Sequence, residues 1–144
     1  MNIFEAIRKD HDKQRELCRL VTSTSGESMG RKQMWEDLKK ELKVHADAEE
    51  RTFYSPLIHN DMMQEHARHG IAEHHEMDEL IEKIDETDLD SPAWLVYAKQ
   101  LCEKVEHHLE DEEHSFFQLA GKVFTEKQKT DIAEEYLKEM KENR

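Results

Sequence analysis

One ten-residue stretch occurs twice, and the distance between its copies constrains the whole chain. The stretch HADAEERTFY, from His45 to Tyr54, returns 63 residues later as HLEDEEHSFF, from His108 to Phe117. The shared pattern is H-x-x-x-E-E-x-x-F-aromatic. The same offset relates His11 to His74, Glu16 to Glu79 and Leu17 to Leu80. A fixed offset of this kind marks a structural half-unit used twice. Each half supplies one single histidine and one His/Glu pair.

The residues around these histidines follow a helical period. Phe4, Ile7, His11, Gln14, Cys18 and Val21 are spaced by three or four and predict a first helix over about residues 3–23. The stretch 23–30, rich in Ser, Thr and Gly, reads as a loop. Trp35, Leu38, Leu42, His45, Glu49 and Phe53 place a second helix over about 31–52. A turn follows Pro56. Ile71, His74, Met77, Ile81 and Ile84 mark a third helix, from near Met62 or Met63 to Ile84. Ser91-Pro92 is a helix start, with Ser as N-cap and Pro at the first helical position. Leu101, Val105, His108, Glu112 and Phe116 carry the fourth helix to about Leu119, with Gly121 closing it. Thr125-Glu-Lys-Gln128 reads as a capping box. A short fifth helix, about 126–142, has Ile132, Tyr136 and Met140 on one side and an end expected to fray. With charged residues at 38%, four Gly and two Pro, the composition favours helices over a sandwich or barrel. The expectation is a single all-α domain over 1–144: an up-down-up-down four-helix bundle over about 3–120, with a short C-terminal fifth helix.

Helices joined by short loops pack antiparallel, so residues equidistant from a turn share a depth. The midpoint of His11 and His45 is position 28, that of His45 and His74 lies between 59 and 60, and that of His74 and His108 is Ser91. All three fall in loops placed on other grounds. The four histidines are therefore expected at one level. Glu49 and Glu112, one turn further along two parallel helices, step to the same side of it. Burying any one of these six groups without a partner costs several kcal/mol. A metal turns that cost into a folding contribution. Four imidazoles and two carboxylates exceed one tetrahedral zinc and suit two six-coordinate ions with carboxylates between them. His74 is preferred to His75, which points nearly opposite the apolar stripe. His59, His66, His69 and His114 read as surface or supporting residues, and Glu50 and Glu113 as solvated or hydrogen-bonded to ligands. The Glu-x-x-His spacing of ferritin-like bundles and the HExxH zinc motif are both absent from the sequence.

These residues resemble the hemerythrin-like family, the HHE cation-binding domain. The match runs through Asp10-His11 in helix 1, His45 to Glu49 in helix 2, Glu73-His74 in helix 3 and His108 to Glu112 in helix 4, over about residues 3–120. The resemblance implies two non-haem irons, bridged by carboxylate and by oxo or hydroxo, with His11, His45, Glu49, His74, His108 and Glu112 as ligands. It also implies reversible binding of O2 or a related small molecule. Oxygen-carrying hemerythrins have a second helix-3 histidine four residues before the one matched here, where this chain has Gly70. One iron is then expected to carry one histidine fewer, with the place open to water, Glu73 or His69.

The leading expectation is a cytoplasmic protein that binds or senses O2, NO or peroxide. The alternatives are a di-iron redox enzyme acting on peroxide or NO, a metal-responsive interaction module using the acidic surface or fifth helix, and a structural zinc bundle. A formal net charge of −13 argues against a nucleic-acid partner. No apolar run approaches a membrane span, and the N-terminal residues lack a cationic-then-apolar leader. Cys18 and Cys102, without a CxxC, read as two buried, reduced thiols.

Overall fold

The computed structural model describes residues 1–26 and 29–144. The described chain is all-helical: α1 spans Ile3–Thr22, α2 Met29–Glu49, α3 Gln64–Asp85, α4 Pro92–Asp111, α5 Phe117–Val123 and α6 Glu126–Asn143. Two five-residue π-helical turns interrupt this pattern without ending it. Glu50–Tyr54 continues α2, and Glu112–Phe116 joins α4 to α5. Position 28, the expected centre of the first turn, lies outside the described residues. Met29 and Gly30, expected in that loop, already belong to α2.

Side-chain contacts show the antiparallel packing. Near the first turn Arg31 bonds Thr24, and further along the same pair of helices His11 and His45 lie ring to ring. Trp35 reaches Asp85 while Glu50 reaches His74, so α2 and α3 run oppositely. His74 meets His108 across α3 and α4, and Arg15 and His11 on α1 meet Glu106 and Glu113. At the turn end, the Arg31 guanidinium donates to the carbonyls of Thr24 and Leu89 and stacks on Trp94, tying both loops together.

The apolar core is divided in two. One part gathers Ile3, Phe4, Ile7, Phe53, Phe116, Phe117 and the buried side of α6. The other gathers Val21, Trp35, Leu38, Ile84, Trp94, Leu101 and Leu109. The buried His and Glu residues of the repeat lie on the same stripes between these two parts, which is the register the spacing predicts. Cys18 and Cys102, distant in sequence, are neighbours here; both are free thiols, Cys102 is only half-buried rather than buried as expected, and its Sγ donates to the Cys18 carbonyl.

Three further expectations differ. Gly121 lies inside α5, which runs to Val123. The stop is set by extended Phe124 and the Thr125 capping box that opens α6. Ile71 is exposed, and α3 turns Gly70, Glu73 and His74 inward instead. The C-terminal helix does not fray. Ile132, Tyr136 and Met140 are buried against α1 and α2, and Arg144 pairs with Asp10 and Glu41. The side of α6 that carries Ile132, Tyr136 and Met140 is therefore covered by the bundle itself, while Leu137 on the same helix is exposed.

Tyr136 is the polar anchor of α6. Its hydroxyl donates to Asp10 Oδ2 at 2.6 Å and lies 2.6 Å from His45 Nδ1. Tyr136→Phe would strand both buried partners, a loss of about 1–3 kcal/mol. Urea denaturation of the variant checks this, and an unchanged midpoint would contradict the anchoring role.

Candidate metal centre

The four histidines expected at one level do meet there, and each is held in the same way. His11 Nδ1 is 2.6 Å from Glu113 Oε2, His74 Nδ1 2.9 Å from Glu50 Oε2, and His108 Nδ1 2.8 Å from Glu73 Oε1. His45 Nδ1 faces the Tyr136 hydroxyl, which is committed as a donor to Asp10. Every Nδ1 thus faces an acceptor. The hydrogen bonds favour a proton on Nδ1, so that each ring, when neutral, carries its lone pair on Nε2, the tautomer that a metal-ligating imidazole needs.

The four Nε2 atoms converge on two carboxylates. Glu112 Oε1 is 3.1 Å from His11, Glu49 Oε2 is 3.4 Å from His45, and Glu49 Oε1 is 3.2 Å from His74. His108 Nε2 lies 3.5 Å from Glu112 Oε2 and 3.9 Å from Glu49 Oε1. All six residues are at most 5% exposed. Buried without a hydrogen-bond partner are both oxygens of Glu49, Glu112 Oε1, and Nε2 of His11, His45 and His108. Buried polar atoms are normally satisfied. A convergent set of lone-pair donors left open is what a cation would fill. The donors form two groups able to hold an ion, His11/His45/Glu49/Glu112 and Glu49/His74/His108, with Glu49 common to both.

Glu73 accepts from His108 Nδ1 and so orients that ring. The His69 side chain is 59% exposed and faces outward. The space beside Gly70 belongs to Tyr54. A Cβ at Gly70 would stand 2.5 Å from the Tyr54 hydroxyl, so no side chain fits there. That hydroxyl donates to Glu112 Oε2 at 2.5 Å, and the ring stacks on His74.

Sequence reading missed Tyr54 because it assumed a regular helix. Tyr54 is nine residues beyond His45, which at about 100° per residue points it opposite the histidine. The π-turn, closed by the Ser55 N–H to the Glu50 carbonyl, takes up an extra residue and swings Tyr54 back to the inner face. The paired aromatics of the repeat were the available signal. Both members of each pair, Phe53/Tyr54 and Phe116/Phe117, are buried.

The electrostatics follow from this packing. Burial alone would push His11 down, but the Glu112 and Glu113 carboxylates raise it to about 9. Burial likewise opposes the charged forms of His74 and His108, and Glu49 with Glu50 or Glu73 outweighs it, giving about 9 and about 10. Glu112 is pushed up by burial and by the adjacent Glu49 charge. For Glu49 burial acts upward, but the surrounding imidazoles hold it well below the usual carboxylate range. Burial, then the Glu112 and Glu49 charges, drives Tyr54 well above the ordinary phenol value.

The sequence profile of the hemerythrin HHE cation-binding domain matches residues 2–120. The chain belongs to this family. Among solved structures, a hemerythrin HHE cation-binding domain-containing protein from Mycobacterium kansasii superposes with a TM-score of 0.88. It covers 99% of this chain and 87% of its own, at 19% sequence identity. That likeness extends over α6, which lies beyond the family match. No protein of curated function matches the chain.

The raised imidazoles set a pH dependence for the metal-free protein. Their folded values of about 9 to 10 exceed the ordinary value of 6.5. The stabilisation they give is full below the unfolded value and is lost as pH rises through the folded ones. Thermal melts of metal-free protein should therefore fall between about pH 6.5 and about pH 10. A melting temperature that held or rose across that window would contradict the assignment.

Proposed function

We propose that this chain is a non-haem di-iron protein that binds or senses O2, NO or peroxide at the buried His/Glu centre. One observation carries the reading: four imidazoles, each fixed by an Nδ1 hydrogen bond, aim their Nε2 atoms at two buried carboxylates, and three of those atoms, in His11, His45 and His108, have no partner. His11, His45, Glu49 and Glu112 would hold one ion. His74, His108, Glu49 and Glu112 would hold the other, with both carboxylates shared. Two irons, when bound, supply the electrons for taking up a small oxidant.

The chain's own residues do the rest. Glu113, Tyr136, Glu50 and Glu73 fix the tautomer and the aim of the four rings, and each outer carboxylate adds basicity to its imidazole. Arg15 donates to Glu113 and holds that carboxylate in place. Phe117 lies parallel to the His11 ring, while Tyr54 stacks on both His74 and Phe116, so aromatic surface excludes water from the centre.

Tyr54 adds an oxygen where helix 3 has only Gly70, and we assign it to the second ion. A nearby cation reverses the local electrostatics, favouring the phenolate that burial and Glu112 disfavour in the metal-free protein. This favours a second reading, redox turnover of peroxide, because an anionic oxygen donor stabilises oxidised over reduced iron. Peroxide consumption well above that of free iron would support it.

Two experiments test the assignments. Iron analysis of Glu49→Gln should show loss at both positions, whereas His11→Ala should mainly deplete one; a Glu49→Gln variant that keeps two irons would refute the shared ligand. Tyr54→Phe should retain iron and lose a visible phenolate-to-iron absorption. An unchanged spectrum would exclude Tyr54 as a ligand.

A further inference from the structure

Among the described residues, a third group with metal-ligating side chains sits at the surface beside the buried centre. It comprises His69 and Glu73 on α3 and Asp111 at the end of α4, with one ligand atom from each lying within 4.8 Å of the others. His69 Nε2 is 3.4 Å from Glu73 Oε1 and 3.8 Å from Asp111 Oδ2. The His69 and Asp111 side chains are 59% and 41% exposed, whereas that of Glu73 is only 6% exposed. A helical His69–Glu73 pair would by itself be an ordinary surface contact. Two further observations set this group apart.

The first is the position of Glu73. The same Oε1 that faces His69 accepts from His108 Nδ1, so one carboxylate joins the surface group to a residue of the buried set. The second is a narrow cleft, too tight for a water molecule as it stands, whose lining includes His69, Glu73, His108, Asp111, Glu112 and Phe116. His108 and Glu112, at 3% and 2% exposure, line it and belong to the buried set, so the cleft joins the surface group to that centre. An imidazole and two carboxylates suit a divalent first-row cation, and a net charge of −13 raises the local concentration of such ions.

We propose that His69, Glu73 and Asp111 form a capture site that takes a divalent cation from solution and passes it through this cleft to the buried centre. The inference rests on the reading of that centre as a metal site. The exposed His69 and Asp111 side chains are free of core packing and can swing to widen the cleft. Glu73 is the intermediate ligand, reached from outside and in contact with His108 inside.

The test is anaerobic stopped-flow loading of metal-free protein with a small excess of Co2+ over two equivalents, read by its visible ligand-field bands. The His69→Gln/Asp111→Asn double variant is compared with the parent and with a His75→Gln/Asp78→Asn control, which makes the same changes at exposed positions of α3. The expected result is two tightly held Co2+ per chain in all three proteins, with loading slowed about tenfold or more in the first variant alone. Parental loading rates in that variant, or equal slowing in the control, would overturn the capture site while leaving the buried centre standing. Failure of the parent to take up Co2+ would overturn both, so the two failures are distinguishable.

Discussion

The structure depends on one polar layer placed between two apolar cores. His11, His45, Glu49, His74, His108 and Glu112 separate the Phe-rich cluster at the α6 side from the Trp-rich cluster at the other end. A layer of this kind cannot be neutral in cost. Each unpaired buried polar atom carries a desolvation penalty of about 1–3 kcal/mol, and ionised groups carry more. In the metal-free chain, imidazoles raised to about 9 or 10 beside a strongly acidic Glu49 offset part of this. A pair of divalent ions would satisfy the remaining lone pairs directly and convert metal affinity into folding stability.

The outer partners explain why the surrounding elements lie where they do. Glu50 and Glu113 follow the two inner glutamates immediately in sequence, yet they face the opposite nitrogens of histidines on other helices. That division of labour between adjacent residues gives the E-E dipeptide of the repeat a physical reason: the first Glu faces the centre, and the second orients a ring. The π-turn in each half keeps two consecutive aromatics inside and brings Tyr54 against the centre. In α6, Tyr136 extends the support through Asp10 to Arg144, so the last helix belongs to the same network as the metal layer.

Much of this was legible because the histidines sit on the apolar stripes that fix the fold. An all-α bundle, the four-histidine level and the preference for His74 over His75 all follow from period and repeat alone, and His75 is exposed while His74 is buried. The remainder depends on geometry that a regular period does not encode. Tyr54 reaches the inner face only through a π-turn. Glu73 lies on the buried face of α3, and only the position of His108 decides that it orients a ring. The stability of the C-terminal end rests on Arg144 finding Asp10 and Glu41, which are 134 and 103 residues away. No local pattern carries that information.

The central claim is that Glu49 is shared by two ions in one buried layer. The most direct test is iron content combined with Mössbauer spectroscopy in an applied field on 57Fe-reconstituted protein. The account predicts two irons per chain that are magnetically coupled into a single spin system. One iron per chain, or two magnetically independent irons, would contradict it.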